Sequence, residues 1–287
     1  MSQHKEQQGF VTFAQNTDEV DYLELAYLQA LNIKATQKNN RYAVIVDAAT
    51  KEKVNEIHRS VFDYIIDLPM DNNEPTSNWK LANEYQVFRL TPFKETIKLE
   101  SDLLFTRSID HWWTTFRLKD VCLSTGTKNY RGLKSNLRKY RELFDSNDLP
   151  DVYNGLMYFR YSRVASNFFG VAESVFRNWD LYKNKLKNCR EDTPSTDVLY
   201  AIASLLVGSE SVTMPSMDFI NFVHMKSGIQ GWSDLHSWLE TVVDERDGDM
   251  IRINNLNQYD PVHYHDKNYA TEELIKYYES RRKSILG

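Results

Sequence analysis

The sequence predicts an α/β fold: a central, mostly parallel sheet with helices on its faces and an elaborated C-terminal region beside it. Two observations predict it. Strand-like and helix-like stretches alternate over the first ninety residues, and the strand-like runs are almost continuously apolar, as in strands covered on both faces. With 41% hydrophobic and 13% aromatic residues, a chain of 287 residues holds enough apolar surface to bury such a sheet.

Residues 9–14 form a short β-rich run, and Asn16, Thr17 and Asp18 then offer N-cap side chains. Tyr22, Leu25, Ala26, Leu28 and Ala30 follow at helical spacing. Residues 42–47 read as an apolar strand ending in Asp47, residues 49–62 as a helix, and residues 64–68 as a third strand before Pro69. Residues 78–88 read as a helix, and residues 90–93 turn the chain into a strand over 96–104. Helices of this length between strands imply right-handed crossovers and a parallel sheet, in which ligands lie beyond the carboxyl ends of the strands. Residues 14–16, Asp47 and the Glu100-Ser101-Asp102 triplet converge on that edge.

The triplet interrupts an apolar strand with two acids at i and i+2. On an extended backbone both carboxylates point to one side and repel unless a cation sits between them. The usual cation for hard oxygen ligands is Mg²⁺ or Mn²⁺, completed by the phosphates of a substrate. Alone, an acid-x-acid triplet reads equally as two solvated surface acids.

Downstream, residues 153–159 form a strand in which Gly155 marks a close approach by ligand or chain, or a β-bulge. Phe168, Phe169, Val171, Ala172, Val175 and Phe176 give the next helix a core face. Ser195, Thr196 and Asp197 precede an apolar helix over 198–207, which makes Asp197 a capping residue or a site residue. Residues 214–232 place His224 and Lys226 among apolar neighbours, with Gly228 and Gly231 flanking a loop that could close over a substrate. Residues 269–286 end the chain as a charged helix with Leu274, Ile275, Tyr278 and Ile285 on its inner face.

Several classes are excluded. There is no G-x-G-x-x-G and no G-x-x-x-x-G-K-[ST], which removes a Rossmann dehydrogenase and a P-loop enzyme. Cys122 and Cys189 stand apart with no C-x-x-C, so both read as plain thiols. The first residues are polar, and the longest apolar run, 201–207, is too short to span a bilayer, so the expectation is a cytoplasmic chain without a membrane span. Residues 107–141 carry nine basic against two acidic side chains, a net of +7, in a chain whose total is −5. Trp112, Trp113, Phe116, Tyr130 and Tyr140 are interleaved with those charges, a mixture that suits a polyanion whose bases can be stacked upon, or else a solvated amphipathic helix.

Three segments in order carry a family resemblance. Residues 91–104, ending in Leu99-Glu100-Ser101-Asp102-Leu103-Leu104, resemble the stretch of GT-A glycosyltransferases that leads into their D-x-D metal motif, especially in the glycogenin-like and lipopolysaccharide-galactosyltransferase-like enzymes. Residues 149–160, with Asn154-Gly155 inside them, resemble the family's Asn-x-Gly strand, and Pro261-Val262-His263-Tyr264-His265-Asp266-Lys267 its late His-containing segment. The match runs from about residue 10 to about residue 267, with Glu100 standing where the family has Asp.

The resemblance implies a single GT-A-like domain over 1–287, with a nucleotide-sugar half (9–105) and an acceptor half (106–287). It implies a metal site of Glu100, Asp102 and His263, in which His265 competes with His263 and His263 could instead be a packed strand residue. Thr12, Ala14, Gln15, Asp47, Glu100 and Lys267 are the expected donor contacts, Lys267 on phosphate, and Asp102, Asp197 and Asn154 the expected catalytic residues. The implied reaction transfers a sugar from a nucleotide-diphosphate sugar to a hydroxyl with Mn²⁺ or Mg²⁺. The basic run adds DNA as a partner, which points to a bacteriophage-type enzyme glycosylating hydroxymethylated pyrimidines in DNA, acting in host cytoplasm. A lipopolysaccharide core, a protein hydroxyl or a non-catalytic GT-A-like binding module are the alternatives.

Overall fold

The computed structural model describes residues 6–71, 80–132, 141–214, 221–225, 242–243 and 251–286. Six strands form the main sheet: β1 (Glu6–Ala14), β2 (Tyr42–Val46), β3 (Tyr64–Asp67), β4 (Phe93–Leu99), β6 (Val121–Thr125) and β7 (Val152–Arg160). Their order is β3-β2-β1-β4-β7-β6. The pairs β3–β2, β2–β1 and β1–β4 are parallel, and β7 runs antiparallel to both of its neighbours. The predicted mostly parallel sheet is therefore the observed one.

Alternate residues of each strand feed two cores. Phe10, Val44, Ile97 and Tyr158 pack on one face beneath the helix Tyr22–Thr36, which in turn carries the C-terminal helix Glu272–Leu286. Val11, Phe13, Ile45 and Phe159 pack on the other, against the helices Arg163–Arg177 and Thr196–Val207. Burial on both faces explains why these strands read as continuous apolar runs.

Three local expectations are refined. The cap position of the helix Tyr22–Thr36 is Asp21, which accepts from the Glu24 N–H at 3.0 Å, and of residues 16–18 Asn16 also accepts from the helix, from the Leu23 N–H at 2.9 Å. The stretch 49–62 is two short helices, Ala48–Glu52 and Glu56–Arg59, because Asn55 starts the second with its own capping box. Before β4 the helix opens as a 3₁₀ turn, Leu81–Gln86, and only then becomes α over Val87–Leu90.

The strand expected over 96–104 divides at the acids. β4 ends at Leu99 and residues 101–102 turn. The chain then re-forms as β5 (Leu103–Leu104) in a second sheet of order β5-β12-β8, with β8 at Val223–His224 and β12 at Val262–His263. A third sheet joins β9 (Val242–Val243), β10 (Ile251–Ile253) and β11 (Leu256–Gln258). Among the described residues no helix is long and apolar enough to cross a membrane.

Candidate active site

The division after Leu99 is what assembles the site. Leaving the sheet at its carboxyl edge, the chain is held by the Glu100 N–H on the Gly155 carbonyl (3.0 Å) and by the Tyr264 N–H on the Asp102 carbonyl (3.1 Å). Gln29, buried in the first long helix, donates to the carbonyls of Glu100 (2.6 Å) and Leu103 (2.7 Å), while its own oxygen accepts from the Tyr42 hydroxyl (2.8 Å). That side chain accounts for backbone groups that a turn at this depth would otherwise leave unpaired. In the second sheet His263 lies opposite Leu103 on one side and His224 on the other, which sets the imidazole beside the acids.

His263 Nε2 is 3.1 Å from Glu100 Oε2 and 2.9 Å from Asp102 Oδ2. One ligand atom from each of the three lies within 4.8 Å of the others, so a single ion could touch all three. Two carboxylates and an imidazole make a donor set suited to Mn²⁺ or Mg²⁺. The longer arm of Glu100 reaches the same cluster that an Asp would. His265 does not take the place of His263: it sits in a left-handed backbone conformation (φ 59°) and is exposed at the cavity mouth.

The Nδ1 atom of His263 lies 2.8 Å from Nδ1 of His224. One of the two nitrogens must donate and the other accept. With His263 as donor, its Nε2 keeps the lone pair that a metal needs, an orienting contact of the kind that fixes ligand tautomers.

Charge is balanced inside the cluster. Burial alone would raise the Asp102 pKa, but His263 and Lys267 outweigh it and hold the carboxyl well below the usual range. Burial alone would lower the His263 pKa, yet Asp102 and then Glu100 lift it above the ordinary imidazole value. Lys267 pairs directly with Asp102.

These groups line a cavity of about 450 Å³. Of the residues expected there, Glu100, Asp102, His263, Lys267, Gln15, Asn154 and Asp197 all form its wall. Thr12, Ala14 and Asp47 do not. Thr12 is fully buried and donates to the Leu99 carbonyl at 2.9 Å, and Ala14 is likewise buried in the sheet. Asp47 caps the helix Ala48–Glu52 through the Thr50 N–H (2.8 Å) and pairs with Lys80 (2.8 Å), so it acts at one remove, by placing a lysine in the wall.

Asp197 is not the helix cap: the cap position is Ser195, and Asp197 accepts from the Asn154 N–H at 2.7 Å and pairs with Arg141 at 3.1 Å. Arg141 is itself buried, its guanidinium 3.7 Å above the Tyr153 ring. Gly155 answers to the chain: an added Cβ would meet the Phe222 ring at 2.7 Å. The register of β6 against β7 also slips between Leu123 and Ser124, which leaves residues 154–156 out of that ladder, and of these Asn154 and Gly155 line the cavity.

Among the described residues of the basic run, the aromatic side chains form no stacking face. Trp112, Trp113, Phe116 and Tyr130 are all core residues, while Arg117 pairs with Glu95 and Arg141 with Asp197. Lys134, Arg138, Lys139 and Tyr140 lie outside the described residues, as do Lys226, Gly228 and Gly231. Sequence reasoning missed Glu84, Lys98 and Gln29, and left His224 among general pocket residues. For Lys98 a signal existed, a lysine inside an otherwise apolar strand.

No protein-family profile and no curated protein sequence matches the chain. Among solved structures, the galactosyltransferase LgtC in complex with donor and acceptor sugar analogues aligns over 96% of this chain and 95% of its own, at 12% identity and a TM-score of 0.50. An active-site mutant of LgtC aligns over the same shares at 11% identity and 0.50. Apo mouse xyloside xylosyltransferase 1 covers 77% of this chain and 88% of its own at 10% identity and 0.47. The likeness to LgtC is one of fold, and by it this chain has the α/β, GT-A-type architecture that its three motifs implied.

Proposed function

We propose that the protein is a metal-dependent glycosyltransferase that moves a sugar from a nucleotide-diphosphate sugar to a hydroxyl acceptor. The observation that carries this reading is the Glu100–Asp102–His263 cluster at the carboxyl edge of a parallel sheet, in the wall of a cavity of about 450 Å³, on a fold shared with LgtC. Glu100, Asp102 and His263 hold Mn²⁺ or Mg²⁺, which when bound offsets the charge developing on the departing diphosphate. Lys267 and Lys80, both in the wall, supply the cationic side chains for phosphate oxygens. Asp197, fixed by Arg141 and by the Asn154 N–H, offers a carboxylate to the sugar. In the transfer, the bond from the anomeric carbon to the diphosphate oxygen breaks, one to the acceptor oxygen forms, and the acceptor hydroxyl's proton leaves to the departing diphosphate or to solvent.

The test is mass detection of free nucleoside diphosphate after incubation with Mn²⁺ and a panel of nucleotide sugars. Release that depends on Mn²⁺ supports the reading, and its absence across the panel favours a binding module. DNA carrying hydroxymethylated pyrimidines enters as acceptor through the charge of +7 over residues 107–141, since the aromatics described in that run are buried.

A further inference from the structure

One charged pair is not explained by the metal cluster. Lys98 is the next-to-last residue of β4, with its side chain fully buried, and its ammonium pairs with Glu84, 2% exposed, in the 3₁₀ turn Leu81–Gln86. An ion pair at this depth is costly to desolvate, and an apolar pair of similar volume serves a fold as well or better. Its position suggests what it does. Glu84 is in the cavity wall and Lys98 stands behind it. The Asn154 amide nitrogen donates to Glu84 and also, at 3.2 Å, to Glu100 Oε1, so its orientation is fixed and its oxygen must point the other way. That oxygen is buried and has no hydrogen-bond partner among the described residues.

The same pattern recurs beside it. Asp197 is a wall residue, and its counter-cation Arg141 is not. Glu191, also in the wall, accepts from the Ser195 N–H at 3.0 Å. Glu84, Asp197 and Glu191 thus put three carboxylates into the cavity wall, with the cations that balance two of them held behind, and the unpartnered Asn154 oxygen is buried beside them. Such a surface accepts hydrogen bonds and repels anions.

We propose that Glu84, backed by Lys98, accepts a hydrogen bond from a hydroxyl of the donor sugar, and that with Asp197 and Glu191 it restricts the donor to sugars without a carboxylate. This rests on the glycosyltransferase reading and names the substrate class of that same cavity. Glu84 is a binding residue in this account and Lys98 a positioning residue.

The experiment is calorimetric titration in Mn²⁺ with UDP, UDP-glucose and UDP-glucuronate, run in parallel with GDP, GDP-mannose and GDP-mannuronate. Wild type is expected to bind the neutral-sugar nucleotide at least about tenfold more tightly than the uronate. Glu84→Gln combined with Lys98→Met removes both charges and keeps an amide. It is expected to bind the nucleoside diphosphate as wild type does, while its affinity for the neutral-sugar nucleotide falls about tenfold or more and the preference over the uronate narrows. A pair that served only the fold would shift both affinities or neither. If the double variant does not fold, Glu84→Asp, which keeps Lys98 paired but withdraws the carboxylate by one methylene, carries the same comparison. Unchanged affinity for the neutral-sugar nucleotide beside intact nucleoside diphosphate binding overturns the assignment of Glu84 and leaves the glycosyltransferase reading standing. No Mn²⁺-dependent binding of either nucleoside diphosphate by wild type overturns that reading, and this inference with it.

Discussion

Asp102 is 3% exposed, yet it carries its charge against the pull of burial because His263 and Lys267 face it. Asp102→Asn keeps the volume and removes a charged ligand, so transfer is expected to fall by about a thousandfold or more while the circular dichroism spectrum is retained. Full activity in that variant excludes the metal assignment. The histidines rank by geometry. His263→Ala should weaken Mn²⁺ binding far more than His265→Ala, and His224→Ala, which frees the His263 ring, about tenfold to a hundredfold. A calorimetric ranking with His265 first would place the ligand two residues late. Proton linkage has a definite sign here. His263 must be neutral to bind metal and its pKa is raised, so Mn²⁺ competes with a proton at pH values below that raised value. Affinity should therefore climb as pH rises above 6.5 and level off past the raised value; a flat profile between pH 6 and 8 contradicts the ligand role. The two acids were readable as a pair in the sequence. The imidazole partner of His263 was not, because thirty-nine residues and a strand pairing separate it from His224.

At the scale of elements, what the sequence hid is which sheet a strand continues in. Leu99 and Leu103 have the same apolar character, and periodicity joins them into one strand. The interruption is tertiary, fixed by Gln29 beneath the turn and by β12, which gives β5 a new partner. Alternation along an extended backbone is therefore not what brings the carboxylates together; the turn is. The broken helix at 49–62 was within reach of sequence reasoning, since Asn55 is a strong cap, whereas the buried Lys98 required knowing that Glu84 lies across from it. Gly155 tests the packing behind the cavity. An added methyl group meets the Phe222 ring at 2.7 Å, so Gly155→Ala should cost about 1–3 kcal/mol in a denaturant melt, and Phe222→Leu in the same chain should recover part of it. An unchanged midpoint for Gly155→Ala implies that the ring moves freely.

For the whole molecule, the fold class was readable because the second half of β1 and all of β2, buried on both faces, advertise themselves as apolar runs. A count of charges and rings along residues 107–141 does not say which rings face inward. Trp112, Trp113 and Phe116 do. If DNA is the acceptor, the charge of residues 107–141 must contribute to holding it. Binding should then weaken steeply with salt, and replacing Lys134, Arg138 and Lys139 by Gln should flatten the log–log slope by roughly two to three. Salt-independent or absent binding by the wild type leaves a carbohydrate or protein hydroxyl as acceptor. The central claim is narrower than any acceptor: one divalent ion held by Glu100, Asp102 and His263 at the edge of the sheet. Anomalous diffraction from crystals grown with Mn²⁺ and a nucleoside diphosphate measures it directly. The account predicts a single manganese peak within about 2.5 Å of an oxygen of Glu100, an oxygen of Asp102 and Nε2 of His263; a peak elsewhere, or none in crystals whose nucleoside diphosphate is ordered, contradicts it.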